Sequence, residues 1–314
     1  MSGMTQAQAK ALRVGILLGG MSVEREVSQR TGAAVAAALK GLGYDVVEID
    51  AQKDLPARLV AEKVQLAFVA LHGRYGEDGC VQGLLESMFI PYTGSGVLAS
   101  SVGMEKVFAK QIFLAHGIPT PRHATFADAK SALAHSAELP FPFPVVVKPS
   151  REGSSVGVHI CKTLEQYQAA VKDAAQYAGL LLVEQYVKGR EVQGAVLDDE
   201  PLGAIEIVPA REFYDYTAKY TANSGTRYVF PAPLPPDQYA RVNEVCLAAH
   251  RALGCQGATR SDVIVTEQGQ VSLLEVNTLP GMTATSLLPK IAAGRGIDFP
   301  ALCERLLLGA CLKA

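Results

Sequence analysis

Tryptophan is absent from this 314-residue chain, and several familiar signatures are missing with it. No GxxxxGK[ST] loop occurs, which excludes a P-loop nucleotide site, and no GxGxxG follows the first predicted strand, which argues against a dinucleotide-binding domain. The six cysteines form no CxxC pair and no metal-finger spacing. A chain of this length has no need of disulfide staples, so reduced and mostly buried thiols are expected. Charge of one sign is lacking too: 29 basic residues against 31 acidic ones leave a net charge of -2. That balance excludes a nucleic-acid-binding surface and a disordered acidic tail. No apolar run approaches the roughly 20 residues of a membrane span. No signal peptide precedes the short run Val14–Leu18, and a cytoplasmic protein is expected, without nucleic-acid or membrane partners.

What the chain does have is glycine, 29 residues of it, set between alternating strands and helices. RVGILL (13–18) reads as a buried strand, followed by a glycine turn and a helix from about Ser22 to Leu42 that Gly41 and Gly43 help to stop. A strand at 46–50, a short helix and a strand at 64–71 continue the pattern. Continuous apolar strands alternating with helices predict an α/β unit with a doubly wound parallel sheet. Ligands gather at the carboxyl ends of such strands, where Gly19-Gly20 and His72-Gly73 fall.

PYTGSG (91–96) closes this first unit, and a helix predicted over 101–116 opens a second. The strand PVVVKPS (144–150) runs into REGSSVGV (151–158), and a helix at 164–177 leads to a strand at 180–187. A third segment holds strands near 191–208, an irregular stretch over 209–236, a helix near 237–253 and a hairpin over 259–277. Six of the 21 aromatic residues lie between Phe213 and Phe230. A long loop so rich in aromatics reads as a lid packed over a site.

The hairpin carries the sharpest chemical signal. With Gln268-Gly269 as its turn centre, Asp262 faces Glu275 and Arg260 faces Asn277, all four on one face of the sheet. Opposed carboxylates repel unless a cation lies between them. Two carboxylates and an amide oxygen are hard donors suited to Mg²⁺. The alternative is a solvated edge hairpin whose acids are neutralised by Arg260. Lys148 ends an apolar strand, and the loop after it carries Gly153 and Gly157, which let backbone N–H groups approach an anion. Taken singly these are a surface lysine and an ordinary hairpin; together with a carboxylate hairpin downstream they read as a phosphate-handling site.

Six stretches, LLGGMSVEREVS (17–28), ALHGRYGEDG (70–79), PYTGSG (91–96), VVVKPSREGSSVGV (145–158), FYDYTAKY (213–220) and LLEVNTLPGMTATS (273–286), stand in one order across residues 13–305. In that order and spacing the chain resembles the D-alanine–D-alanine ligases of the ATP-grasp superfamily. The resemblance implies an N-terminal, pre-ATP-grasp α/β domain over 1–97 that binds substrate, a central ATP-grasp lobe over 98–186 with the glycine-rich loop, and a C-terminal α+β lobe over 187–314 with lid and metal hairpin. It implies ATP-dependent joining of two D-alanines through a D-alanyl phosphate, for peptidoglycan synthesis and cell shape.

The same resemblance distributes roles. Asp262, Glu275 and Asn277 would hold two Mg²⁺ or Mn²⁺ ions, and Arg260 would stabilise the transferred phosphate. Lys106 and Lys148 would contact ATP phosphates under the loop residues Glu152 and Ser155, with Lys219 reaching the γ-phosphate from the lid. Glu184, Val187 and Tyr186 would meet the adenine, and Glu191 the ribose. Glu24 would take the ammonium of the first D-alanine, aligned through Ser154 and Tyr220, with His72 nearby. Helix capping is the alternative role for Glu24, and a structural one for His72. Gly281 would face the oxyanion, while Ser286 and the Leu287 amide would bind the second carboxylate. A proline-glycine turn with a serine N-cap describes the same residues without a ligand.

Relatives that make D-alanyl-D-lactate often carry phenylalanine where Tyr220 stands, so tyrosine favours D-alanine as acceptor. Ser261 replaces the hydrophobic residue usual between Arg260 and Asp262; facing away from them, it is expected to matter little. D-serine or D-lactate ligases and other ATP-grasp carboxylate-amine ligases are the neighbouring readings. A sensor that has lost catalysis is disfavoured by the presence of Arg260, Lys219 and all three metal ligands. A homodimer is the family tendency.

Overall fold

The computed structural model describes residues 3–153, 155–177, 179–209 and 225–313. After a short capped helix α1 (Gln6–Lys10), strand β1 (Arg13–Leu18) leads into α2 (Arg25–Gly41), β2 (Asp45–Asp50), α3 (Leu55–Ala61), β3 (Leu66–Val69) and α4 (Cys80–Ser87). The strands form a parallel sheet in the order β2-β1-β3. Side chains alternate across it: Val14 and Ile16 pack with Val35 and Leu39 of α2, while Leu17 packs with Leu55 and Leu59 of α3 and Leu85 of α4. Apolar residues on both faces of each strand thus demand helices on both sides, and the doubly wound expectation holds.

Helix α2 starts later than expected and ends as its sequence dictates. Gly43 takes φ +84°, its N–H donates to Lys40 O, and the Tyr44 N–H reaches back to Leu39 O at 3.1 Å. This is the paired-bond C-terminal cap that a left-handed glycine permits. Gly41 remains inside the helix.

The single helix expected over 101–116 is two, α5 (Val97–Met104) and α6 (Lys106–Ala115). Glu105 breaks it with extended backbone (ψ 94°), because its neighbours bond elsewhere: Arg151 Nε donates to Glu105 Oε2 at 2.6 Å, and Lys106 N–H donates to Ser150 O at 3.0 Å. The break sets Lys106 at a helix start beside the glycine-rich loop.

Strands β4 (His123–Phe126), β5 (Val145–Pro149), β6 (His159–Cys161) and β7 (Leu181–Gln185) make an antiparallel sheet ordered β4-β7-β5-β6. The helices α7 (Ala129–Ala134) and α8 (Leu164–Ala174) cover one face, where Val145, Val147 and Val183 meet Tyr167 and Val171. Period two then sends Val146, Lys148 and Glu184 to the opposite face.

The last sheet holds β8 (Arg190–Leu197), β9 (Glu200–Val208), β10 (Arg227–Val229), β11 (Ala258–Val265) and β12 (Val271–Asn277), ordered β10-β9-β8-β11-β12. Helix α9 (Pro236–Ala252) packs so closely that a Cβ on Gly194 would lie 2.4 Å from Cys246 Sγ. Helices α5 and α6 share this core through Ala99, Ala109 and Phe113. Helices α10 (Leu287–Gly294) and α11 (Phe299–Leu308) fill the space between this sheet and the α2 face of the first.

The hairpin β11–β12 corrects one expectation while keeping its result. The turn is a three-residue loop, Glu267–Gly269, closed by Thr266 N–H to Gln270 O at 2.9 Å, so Val265 lies opposite Val271. Gly269 at φ +79° supplies the left-handed residue that such a loop requires. A bulge at Leu274 absorbs the displaced residue, and beyond it Asp262 does face Glu275 and Arg260 does face Asn277. Ser261 is buried on the side away from Asp262, as expected. Among the described residues, no helix is long and apolar enough to cross a membrane. All six cysteines are free, four of them buried.

Candidate active site

The polar faces of the two antiparallel sheets line a cleft of about 350 Å³. It gathers Lys106, Lys148, Glu152, Ser155, Glu184, Tyr186, Val187 and Glu191 with Asp262 and Glu275, residues from six elements and two loops. Ser154, Lys219 and Tyr220 lie outside the described residues.

At its floor sits a buried ionic cluster. Lys148 Nζ lies 2.6 Å from Glu184 Oε2, and Lys110 Nζ contacts Glu184 Oε1. Lys148 is therefore no surface lysine, and Glu184 is buried beside it at 2% exposure. Burial pushes the Glu184 carboxyl toward its neutral form, but the two ammoniums outweigh burial and hold it well below the usual carboxylate range. Burial in turn lowers the Lys110 ammonium to about 8.

Lys106 joins loop to hairpin: its Nζ donates to Glu152 O at 2.7 Å and lies 3.2 Å from Glu275 Oε2. Arg260 Nε donates to Asp262 Oδ1 at 2.9 Å, and Gln193 Nε2 donates to Asp262 Oδ2 at 3.1 Å. Both hairpin carboxylates thus carry a cation, as the alternative to a metal foresaw for Arg260. The Asn277 side chain accepts from Leu279 N–H at 2.8 Å. Among the described residues, no three His, Cys, Asp or Glu side chains form a metal-binding group. The hairpin's donor set is two carboxylates and one amide. That fits a hard cation completing its shell with water and phosphate oxygens.

A second group of residues lies where the first unit meets the glycine-rich loop. Glu24 stands at the N-cap position of α2, yet its side chain makes no capping bond. A Cβ on Gly73 would come within 2.8 Å of Glu24 Oε2, and one on Gly153 within 3.7 Å, so both loops close around this carboxylate. Ser22 Oγ donates to His72 O at 2.6 Å and accepts from Glu24 N–H at 3.1 Å. The buried His72 ring is engaged at both nitrogens, with Glu77 Oε1 at 3.3 Å and Thr31 Oγ1 at 3.1 Å. Arg74 Nη2 meets Glu152 Oε1 at 3.1 Å, linking the two units directly.

Ser286 occupies the N-cap position of α10, but its hydroxyl accepts from Thr283 N–H at 3.0 Å and makes no bond to the helix amides. A Cβ on Gly281 would lie 2.8 Å from Ser286 Oγ, so the turn admits only glycine without rearrangement. The first amides of α10, Leu287 among them, stay open to an anion.

Sequence reasoning missed Lys110, Arg190, Glu206 and Gln193. Arg190 and Glu206 line the cleft as a pair, at 2.6 and 2.8 Å. Lys110 left a readable sign: it recurs in the stripe Val107, Lys110, Phe113 that α6 buries.

The family description "D-ala D-ala ligase C-terminus" matches residues 112–308, and "D-ala D-ala ligase N-terminus" matches 55–95. A D-alanine–D-alanine ligase of Anaeromyxobacter sp. (strain K) is 58% identical over 302 residues, 96% of this chain and 98% of the relative. The crystal structure of D-alanine–D-alanine ligase from Bacillus anthracis complexed with ATP superposes with TM-score 0.82 at 36% identity, covering 95% of this chain and 96% of that one. A D-Ala:D-Ser ligase from Enterococcus faecalis superposes with TM-score 0.82 at 29% identity, covering 94% and 98%.

Proposed function

The chain belongs to the D-alanine–D-alanine ligase family, and from that premise we propose how its own residues join two D-alanines for peptidoglycan synthesis. It is an ATP-dependent ligase. The observation that carries the residue assignments is the cleft where Lys106, Lys148, Glu184, Asp262 and Glu275 converge beneath a glycine-rich loop.

ATP lies in this cleft. Its phosphates meet Lys106 and Lys148 under Glu152 and Ser155. Its adenine packs on Tyr186, bonds the Val187 backbone and gives its amino hydrogens to Glu184; Glu191 takes the ribose hydroxyls. Asp262, Glu275 and Asn277 would hold two Mg²⁺ or Mn²⁺ ions. Those ions, when bound, supply the positive charge that lets two anionic oxygens meet. Arg260, paired with Asp262 in the structure, then stabilises the transferred phosphate, and Lys106, paired with Glu275, contacts the ATP phosphates.

Glu24 holds the ammonium of the first D-alanine, with His72 fixed beside it by Glu77 and Thr31. The D-alanine carboxylate oxygen attacks the γ-phosphorus, the bond to ADP breaks, and D-alanyl phosphate forms. The second D-alanine, its carboxylate on Ser286 and the Leu287 amide, gives its ammonium proton to solvent; the free amine attacks the acyl carbon and passes a second proton to the departing phosphate as the amide forms. Gly281 N–H steadies the oxyanion until phosphate leaves. Lys219, Ser154 and Tyr220 complete the lid side in the roles expected from sequence. A three-part division at 97 and 186, a cytoplasmic location and a homodimer belong to the same proposal.

The test offers ATP and Mg²⁺ with D-Ala, L-Ala, D-Ser or D-lactate, singly and paired, and measures phosphate release with product analysis. D-Ala alone is expected to drive release and yield D-alanyl-D-alanine. No release with D-Ala, or release only when D-Ser or D-lactate is added, overturns the proposal.

A further inference from the structure

Lys110 has no part in the reaction as described, yet it is a fully buried ammonium in contact with a residue that does. It sits one helical turn after Lys106 on α6 and donates to Thr120 Oγ1, which in turn donates to Leu273 O on the metal hairpin. We propose that Lys110 is a positioning residue for ATP: by matching the Glu184 charge from behind, it leaves Lys148 free to serve a phosphate.

The argument is one of charge count at short range. Glu184 faces two ammoniums, Lys110 on Oε1 and Lys148 on Oε2. With Glu184 and Lys148 alone, the pair would be neutral, and at 2.6 Å the carboxylate would compete with any phosphate for the lysine. Lys110 makes the cluster net positive at the floor of a cleft that takes a polyanion. Lys110 itself is sealed by α6, β7 and Thr120, which denies it direct contact with nucleotide.

This inference rests on the reading that the cleft holds ATP, and the experiment separates the two. Equilibrium binding of ATP and of adenosine is measured for the full chain and for K148M, K110M, E184Q and K110M/E184Q, each checked by thermal melting. K110M is expected to bind ATP about 10-fold more weakly, the scale of one charge-assisted contact, with adenosine affinity unchanged. In the E184Q background there is no anion left to match, so adding K110M should change ATP affinity by less than about 3-fold. A K110M protein that binds ATP like the wild type, or loses adenosine and ATP affinity alike, overturns the proposal. Should K110M fail to fold, a loss of about 10-fold between E184Q and the double variant overturns it instead. Unchanged ATP affinity in K148M would sink the underlying placement of ATP, whatever K110M does.

Discussion

Asp262 and Glu275 stand opposite each other on one sheet face, and each carries a cation of its own, Arg260 and Lys106. Replacing Glu275 by Gln removes one donor charge and keeps the shape. Turnover is expected to fall by about 100-fold or more, with the melting temperature within about 2 °C of wild type. A fully active E275Q protein would refute the assignment, and one that unfolds would show Glu275 to be structural. These two acids were legible in sequence because a strand's period of two states which residues share a face, and facing like charges demand an explanation. Lys148 was legible as a strand-end lysine before a glycine loop, though not as a buried one. Lys110 was obscured because lysine on a helix is normally solvated. Only its place in the apolar stripe of α6 set it apart, and its partner Glu184 lies 74 residues later in the chain. Arg190 and Glu206 pair across adjacent strands whose register no local pattern stated.

Elements behaved according to length. The strands β1, β5 and β7 and the helices α2, α8 and α9 matched expectation, while β4 and the helices α1, α4, α7, α10 and α11, none longer than ten residues, were not anticipated. The split between α5 and α6 was invisible because its cause, the Glu105–Arg151 pair, spans 46 residues. The hairpin shows a subtler case. Its predicted turn was off by one residue, and the Leu274 bulge cancels the shift, so the facing of Asp262 and Glu275 survives a wrong premise. That loop depends on Gly269 at φ +79°, where an added Cβ would also meet Gln238 Nε2 at 2.6 Å. Gly269→Ala is expected to cost about 1 kcal/mol and lower the melting temperature by about 2 °C. Because the loop lies at the far end of the hairpin from Asp262, kcat should stay at the wild-type value. A melting temperature equal to or above wild type, or a large fall in kcat, would contradict this account of the loop.

Across the whole molecule, the two ends of the chain close on one another, which no local signal announced. Met4 N–H donates to Leu308 O, α11 packs on α2, and Tyr92 bridges both Ala67 in the parallel sheet and Cys311 in the tail. Lys313 locks this junction: its Nζ donates to Cys311 O at 2.8 Å and to Tyr92 O, and sits 3.7 Å from the Tyr92 ring centroid. The titratable groups around it are Glu86, which accepts the Lys313 N–H at 2.7 Å and the Tyr92 hydroxyl at 2.9 Å, Tyr92 itself and the Cys311 thiol. Burial lowers the Lys313 ammonium from 10.5 to about 8, more than Cys311 and Glu86 restore. Between those two values the unfolded chain holds a proton that the folded chain has released, so folding is favoured progressively as pH rises through that window. Below about 8 both states are protonated and the penalty of burying the charge is constant. Lys313→Met removes this linkage. Melting temperatures of wild type and K313M measured from about pH 7 to about pH 10 should therefore diverge in one direction, wild type gaining on the variant as pH rises. A difference that is flat, or that shrinks with pH, would mean the ammonium is not desolvated at the junction, and the tail would then be held by Tyr92 and the backbone alone.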